Sequence, residues 1–390
     1  MNEETRKFII QNQKADIRNL ALKKAPANVD LTYALQQIEA KQLLSKKVPS
    51  WCENENLIFP AHLSIEQCSS EQTARYKAEI VSGSSLVDLT GGLGIDCFFL
   101  SKQFQSTSYV EQQETLCQLA KNNFKALQTD IKIFNEDSED YLNHCQPIDC
   151  IFIDPARRDQ YGHKTISISD CTPNVIKMQE MLLSKAKQVL IKLSPMLDIS
   201  LALSELNHVK IVHIVAVNND CKELLFLLER NYNGNIRYCC ANLHSRQSRQ
   251  NFTMEEEKEA QVTFVDKIEK YLYEPNAAIM KGGFFKSIAQ KNGLKKLHPN
   301  THLYTSDKLE SEFPGRIFEV KEWGHYNKKA KQSTLYGIDR ASVNARNFPL
   351  SVAELRKTLK LADDDKTFVF ATTIKGDERI IIRAEKAIIQ

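Results

Sequence analysis

Apolar side chains fall three and four apart through the first 80 residues, and from Ser84 onward the pattern breaks into short apolar runs. TRKFIIQNQ, KADIRNLALKKA and LTYALQQIEAKQLLSKKV show the stripe that a helix buries. Asp30 is placed to cap the third helix and Pro49-Ser50 to close it. SSEQTARYKAEIVS predicts another helix, starting at Ser70-Glu71 and ending at Gly83.

Beyond Ser84 the runs SLVDL, TSYVE, IKIFN, CIFIDP and VLIKLSP are separated by helical stretches: GIDCFFLSKQ, ETLCQLAKNNFKAL and Asn174 to Ala186. This alternation predicts an α/β domain, a mostly parallel sheet with helices on both faces. HVKIVHIVAV and ELLFLLE add two strands, the last antiparallel. Further on, YCCANL, QVTFV, YLYEP, HLYTS and GRIFEVKEW read as strands, and KGGFFKSIAQKNG as a short helix ended by Gly293. SVAELRKTLKL predicts a helix begun at Ser351, followed by KTFVFATTI and ERIIIRAE across a Gly-Asp turn. Four regions result: a helical N-terminal lobe (1–83), the α/β domain (84–230) and two small α+β modules (231–316 and 317–390).

Hydrophobic residues at 42% supply enough apolar material for real cores. The N-terminal stretch is charged throughout and lacks an apolar core of roughly 7 to 15 residues, so a cytoplasmic protein with no membrane contact is expected. Ten scattered cysteines without a CxxC read as reduced thiols, with no metal site expected. Net charge is only +3, but Arg230 to Lys357 holds 22 Lys and Arg against 14 Asp and Glu. A basic region of that kind points to a polyanion such as RNA, or to a solvated lysine-rich face.

The first strand of the α/β domain ends in Asp88-Leu89-Thr90-Gly91-Gly92-Leu93-Gly94. Ligands of open α/β sheets bind at the carboxyl ends of strands, where glycines let backbone come close. Cys97 breaks the GxGxxG spacing of a dinucleotide site, which argues against a nicotinamide-dependent oxidoreductase. Asp88 would repel a phosphate there and would suit a cationic ligand.

Asp88, Gly92 and Gly94, at steps of four and six, resemble motif I of the class I S-adenosylmethionine-dependent methyltransferases. The resemblance implies that the loop from Asp88 through Thr90 to Gly94 binds S-adenosyl-L-methionine. It further implies that Glu111 accepts hydrogen bonds from the ribose hydroxyls, and that Asp137 and Ser138 lie at the adenine, with Asp137 toward its amino group. The whole chain is similar to a bacterial group of such enzymes with a THUMP-like C-terminal domain. TARYKAEI, LVDLTGGLGID, VEQ, FIDPARR, LIKLSP, NDCKELLF and YLYEPNAAIMKGGF carry that similarity. It implies a Rossmann-like methyltransferase domain, a ferredoxin-like module around Tyr271 to Pro314, a THUMP-like tail and an RNA-modifying activity.

A buried strand that runs into Asp154-Pro155-Ala156-Arg157-Arg158 needs a reason, because burying a charge is costly unless it is paired. Methyltransferases acting on nucleic acid place an acid-proline pair there, beside the reactive methyl. Asp154 is therefore expected to be catalytic, with Pro155, Arg157 and Arg158 on the substrate side. The arginines suit a phosphate or carboxylate, or pair with acids such as Asp159 or Asp170. An aromatic such as the tyrosine of DPPY is missing, which disfavours methylation of a base amino group. Carbon-5 pyrimidine methyltransferases carry a cysteine after the fifth strand; this chain has Lys192-Leu193-Ser194-Pro195, leaving Cys171 as the alternative thiol.

Lys77, Asp154, Lys192 and Glu223 occupy positions resembling those of the Lys-Asp-Lys-Glu ribose 2′-O-methyltransferases. Such a cluster is expected to lower a lysine pKa so that it can take a hydroxyl proton. An ordinary Lys192–Glu223 pair is the plain alternative. For RNA contact, Lys281, Phe284, Phe285, Lys286, Lys291, Lys295 and Lys296 interleave charge with aromatics, and Trp323, His325 and Tyr326 stand near Lys328, Lys329 and Lys331. Phe284 and Phe285 also suit a core. A methyltransferase of protein or small-molecule substrates, and a non-catalytic RNA-binding or assembly protein, stay open.

Overall fold

The computed structural model describes residues 2–60, 68–156, 168–243, 248–327, 329 and 333–388. It divides into two compact units: Met1–Val212 with Glu223–Gly234, and His213–Lys222 with Asn235–Gln390.

The first unit begins with helices α1 (Glu3–Gln11), α2 (Ile17–Ala21), α3 (Leu31–Leu44), α4 (Pro49–Cys52) and α5 (Glu71–Ile80). Asn2, Asp16, Asp30 and Ser70 cap four of them, each side chain accepting a backbone N–H of the first turn. Three local expectations fail. KADIRNLALKKA is helical only over Ile17–Ala21, because Leu22 is 87% exposed and finds no core. Pro49 does not close α3; it opens α4, where its missing N–H costs nothing. Gly83 starts the first strand, and α5 ends at an extended Val81.

Next come β1 (Gly83–Asp88), α6 (Ile95–Ser101), β2 (Phe104–Val110), α7 (Glu114–Ala126), β3 (Lys132–Phe134) and α8 (Ser138–His144). They are followed by β4 (Ile148–Ile153), α9 (Val175–Lys185), β5 (Ala186–Leu193), α10 (Ile199–Glu205), β6 (Val209–Val217) and β7 (Asp220–Glu229), of which His213–Lys222 counts with the second unit. Strand order is β3-β2-β1-β4-β5-β7-β6, with β1 to β5 parallel and β7 antiparallel to β5. Cys150 to Ile153 are all buried, as a central parallel strand covered on both faces requires. Trp51 and Phe59 of the lobe pack with Phe98, Tyr109 and Phe124 of the α/β layer, so lobe and sheet share a core. The order reverses between β1 and β4, and the carboxyl ends of these strands form the crevice where such sheets bind ligands.

The second unit contains β8 (Arg237–Leu243), β9 (Ser248–Phe252), α11 (Met254–Glu259), β10 (Tyr271–Pro275), α12 (Ala277–Gly282), α13 (Phe285–Lys291), β11 (Lys295–His298) and β12 (Thr301–Ser306). It ends with β13 (Gly315–His325), β14 (Ser342–Arg346), α14 (Val352–Leu359), β15 (Thr367–Ile374) and β16 (Glu378–Lys386). Seven strands form one sheet ordered β11-β12-β10-β13-β16-β15-β14. QVTFV does not form a strand; Phe264 makes an isolated bridge to Lys296. KGGFFKSIAQKNG spans the end of one helix and all of a second, because Gly283 takes the left-handed conformation that ends α12.

Candidate active site

Asp88, the last residue of β1, is buried, and its carboxylate accepts the Thr90 N–H at 3.0 Å. Thr90 in turn accepts the Asp154 N–H on its hydroxyl oxygen at 2.7 Å, tying the loop after β1 to the loop after β4. Gly92 (φ +53°) and Gly94 (φ +77°) adopt the left-handed backbone that the tight loop needs. Glu111, just past β2, accepts the N–H groups of Gly92 (3.0 Å) and Gln113 (2.9 Å), while the Tyr109 hydroxyl donates to the Gly92 carbonyl at 2.6 Å. After β3, Asn135 donates to the Glu111 and Gln112 carbonyls, and Asp137 caps α8 by accepting the Glu139 N–H. Ser138 is buried and donates to the Leu89 carbonyl at 2.8 Å, tying the start of α8 to the first loop.

The acids here fit a cationic nucleoside. Burial pushes the Asp88 carboxyl well above the usual carboxylate range, opposed by the Thr90 N–H and reinforced by Asp96, Asp154 and Glu111. A positively charged sulfonium or ammonium would offset that cost, whereas a pyrophosphate would add to it. Glu111 and Asp137 retain acceptor capacity for hydroxyls and an exocyclic amine.

Beside this loop lies a buried ionic cluster. Lys77 of α5 donates to both carboxylate oxygens of Glu223 in β7, at 2.7 and 2.9 Å. Lys192, near the end of β5, donates to Asp154 at 2.5 Å. Asp96, in the first turn of α6, joins the two pairs: its oxygens lie 3.2 Å from the Lys77 ammonium and 4.0 Å from that of Lys192, and it accepts the Ser69 hydroxyl at 2.6 Å.

The four residues expected to cluster are brought together, linked through Asp96, and the plain alternative of a Lys192–Glu223 pair is not formed, since Glu223 pairs with Lys77. One expectation fails. The Lys192 pKa is raised, not lowered: burial works against its charge, but Asp154, Asp96 and Glu223 outweigh burial. Its surroundings thus favour the charged form of Lys192. Asp96 was missed because an acid in the first turn of a helix reads as a favourable helix-dipole residue. Its one sequence signal is its place two residues after Gly94 in the GGLGID turn.

Pro155 is buried. Arg157, Arg158 and Asp159 lie outside the described residues. Cys171 is buried, and Ser194 occupies the place of a carbon-5 nucleophile.

In the second unit, the expected basic and aromatic surface is divided: Phe284 and Lys296 are buried, whereas Lys291, Lys295, His325 and Lys329 are exposed. Phe284 is buried and stacks on Phe252 with centroids 4.5 Å apart, and Phe285 stacks on His302. Lys296 is buried, donating to the carbonyls of His298 and Pro299. Lys286 donates to the Lys258 carbonyl, Lys291 to the Asn251 carbonyl, and Lys295 pairs with Glu269. Tyr326 packs edge-on against Phe348, and His325 faces Glu378 at 3.3 Å. Lys328 and Lys331 fall outside the described residues.

The strand order, the acid-and-glycine loop after β1 and the acids after β2 and β3 define a Rossmann-like class I methyltransferase fold. A ferredoxin-like domain family matches residues 271–314 and a THUMP domain-like family residues 315–386. A crystal structure from Porphyromonas gingivalis W83, named a "putative methyltransferase", is 33% identical over 100% of both chains with a TM-score of 0.89. A Mycobacterium tuberculosis protein, known from two strains and named an uncharacterized S-adenosylmethionine-dependent methyltransferase, is 20% identical over 80% of this chain and 83% of its own length. The chain belongs to the family of S-adenosylmethionine-dependent methyltransferases with C-terminal ferredoxin-like and THUMP-like domains.

Proposed function

We propose that this protein methylates RNA on a hydroxyl group, the ribose 2′-OH in the simplest case. The carrying observation is the Lys192–Asp154 contact at 2.5 Å, linked through Asp96 to the Lys77–Glu223 pair. The cofactor, held by the Asp88 to Gly94 loop with Glu111 and Asp137, supplies an electrophilic methyl group on a positively charged sulfur. Asp154, with its side chain 35% exposed, is the acid in the cluster that a substrate can reach. Its carboxylate accepts the hydroxyl proton, and the Lys192 ammonium stabilises the oxygen as negative charge develops on it. The lack of an aromatic after Asp154-Pro155 and of a cysteine after β5 favours a hydroxyl over a ring nitrogen or carbon.

RNA as the partner is supported by the THUMP-like match and by the basic excess of the C-terminal half. Arg157 and Arg158 remain candidates for a backbone phosphate. Among the described residues no helix is long and apolar enough to cross a membrane.

The test is nucleoside mass spectrometry of RNA from a deletion strain, with methyl transfer by purified protein to that RNA. Loss of one 2′-O-methylnucleoside, restored by the wild type but not by Asp154→Ala that still binds cofactor, is expected. A missing methyl on a base, or an unchanged RNA profile, would refute the proposal.

A further inference from the structure

Five charged side chains of the first unit alternate in sign along one chain of contacts: Glu223, Lys77, Asp96, Lys192, Asp154. Exposure is concentrated at the Asp154 end, with side-chain values of 13% or less for the other four. Asp96 is outside the four-residue pattern of hydroxyl methylation, yet among the described residues it is the acid within ion-pair distance of both lysines.

A charge count shows what Asp96 does. With Asp154 ionised, three carboxylates face two ammonium groups. Once Asp154 has taken the proton from the hydroxyl, it no longer balances Lys192. Lys77 keeps Glu223 at 2.7 Å, and among the described residues Lys192 keeps Asp96 as its acid at close range. A buried ammonium that loses its counter-charges gives up its proton. Without Asp96 the positive charge would be lost at the stage when the acceptor oxygen needs it.

We propose that Asp96 is a positioning residue that keeps Lys192 cationic while Asp154 carries the substrate's proton. This rests on the reading of Asp154 and Lys192 as the hydroxyl-accepting pair. Lys77 and Lys192 hold the Asp96 carboxyl below its ordinary range against burial, with the Ser69 hydroxyl assisting. The groups facing Lys192 are Asp154 from the loop after β4, Asp96 from α6, Glu223 from β7 and, from the segment before α5, the Cys68 thiol, which burial pushes up to about 11. Lys77 adds a second positive charge across Asp96. Among the described residues Asp96 and Asp154 are the two acids in direct range, so removing them singly and together isolates each contribution.

The experiment reads the protonation of Lys192 in the full chain by NMR of protein labelled with carbon-13 at the lysine Cε, with the resonance assigned by Lys192→Arg. It needs no substrate, so its failure is distinct from failure of the RNA reading. Asp96→Asn is expected to lower the Lys192 titration midpoint by roughly one to three pH units. Asp154→Asn, which mimics the protonated acid, should leave Lys192 charged at neutral pH, and the double variant should not. Asp96→Glu should restore the midpoint, which a purely structural role for Asp96 would not require. An unchanged midpoint in folded Asp96→Asn would overturn the proposal. Should that variant not fold, neutralisation of Lys192 near pH 7 in Asp154→Asn alone would overturn it equally.

Discussion

Lys77 and Glu223 stand 146 residues apart in sequence and meet in a two-pronged contact, with both side chains buried. A helix that precedes the sheet is thereby pinned to an antiparallel strand added near its end. Removing one partner leaves an uncompensated charge, so Lys77→Met should cost about 3–5 kcal/mol. Adding Glu223→Leu should recover part of that loss, because it removes the stranded carboxylate. Urea denaturation of both single variants and the double gives the coupling. Strictly additive costs would mean that the two charges do not stabilise each other.

Glu111 holds the glycine loop through the Gly92 N–H and is also the acid placed for ribose hydroxyls. Glu111→Ala should therefore weaken S-adenosylmethionine binding at least tenfold, about 1.4 kcal/mol, in calorimetric titration. Glu111→Gln, which can still accept from Gly92, should fall between the two. NAD should not bind the wild type. Equal affinities for wild type and Glu111→Ala would show that the acid lies away from the ligand.

The α/β half was legible because its signals are local. Most of its strands are apolar runs; Asp88 ends its strand, and Glu111, Asp137 and Asp154 each come after theirs. The pairing of Lys77 with Glu223 was less legible, since sequence gives position along the chain but not which of two acids a lysine meets. The sign of the Lys192 shift could not be read at all: it depends on three carboxylates converging from α6, β7 and the loop after β4. In the second unit, the same composition that suggests a nucleic-acid surface also builds a core. Phe284 and Lys296 went inside, the lysine by spending its ammonium on two carbonyls.

That buried Lys296 gives a signed pH dependence. Burial lowers its pKa from 10.5 to about 8, with Glu257 opposing. Between those values the unfolded chain binds more protons than the folded one, so this residue's contribution makes stability rise as pH climbs from about 8 to 10.5. Below pH 8 the lysine is charged in both states and the contribution is at its least favourable. The difference in urea midpoint between wild type and Lys296→Met should therefore shift in favour of the wild type over that window. A difference that stays flat or moves the other way would contradict the assignment.

Glu274 connects the two C-terminal family segments. It lies in β10, within the ferredoxin-like match, and its buried carboxylate accepts from Arg316 and Arg346, both in the THUMP-like match. The seven-stranded sheet also runs unbroken from one segment to the other through the β10–β13 pair. Glu274→Gln would leave two guanidinium groups beside each other without their shared anion. Because the arginines are partly exposed, water screens some of that repulsion, and the expected loss is about 1–3 kcal/mol. Added salt should reduce the loss, since it screens the arginine pair but cannot replace a well-packed apolar contact. If Glu274 instead acted only by filling space, Glu274→Gln would be near neutral and insensitive to salt, and Glu274→Ala would carry the whole effect.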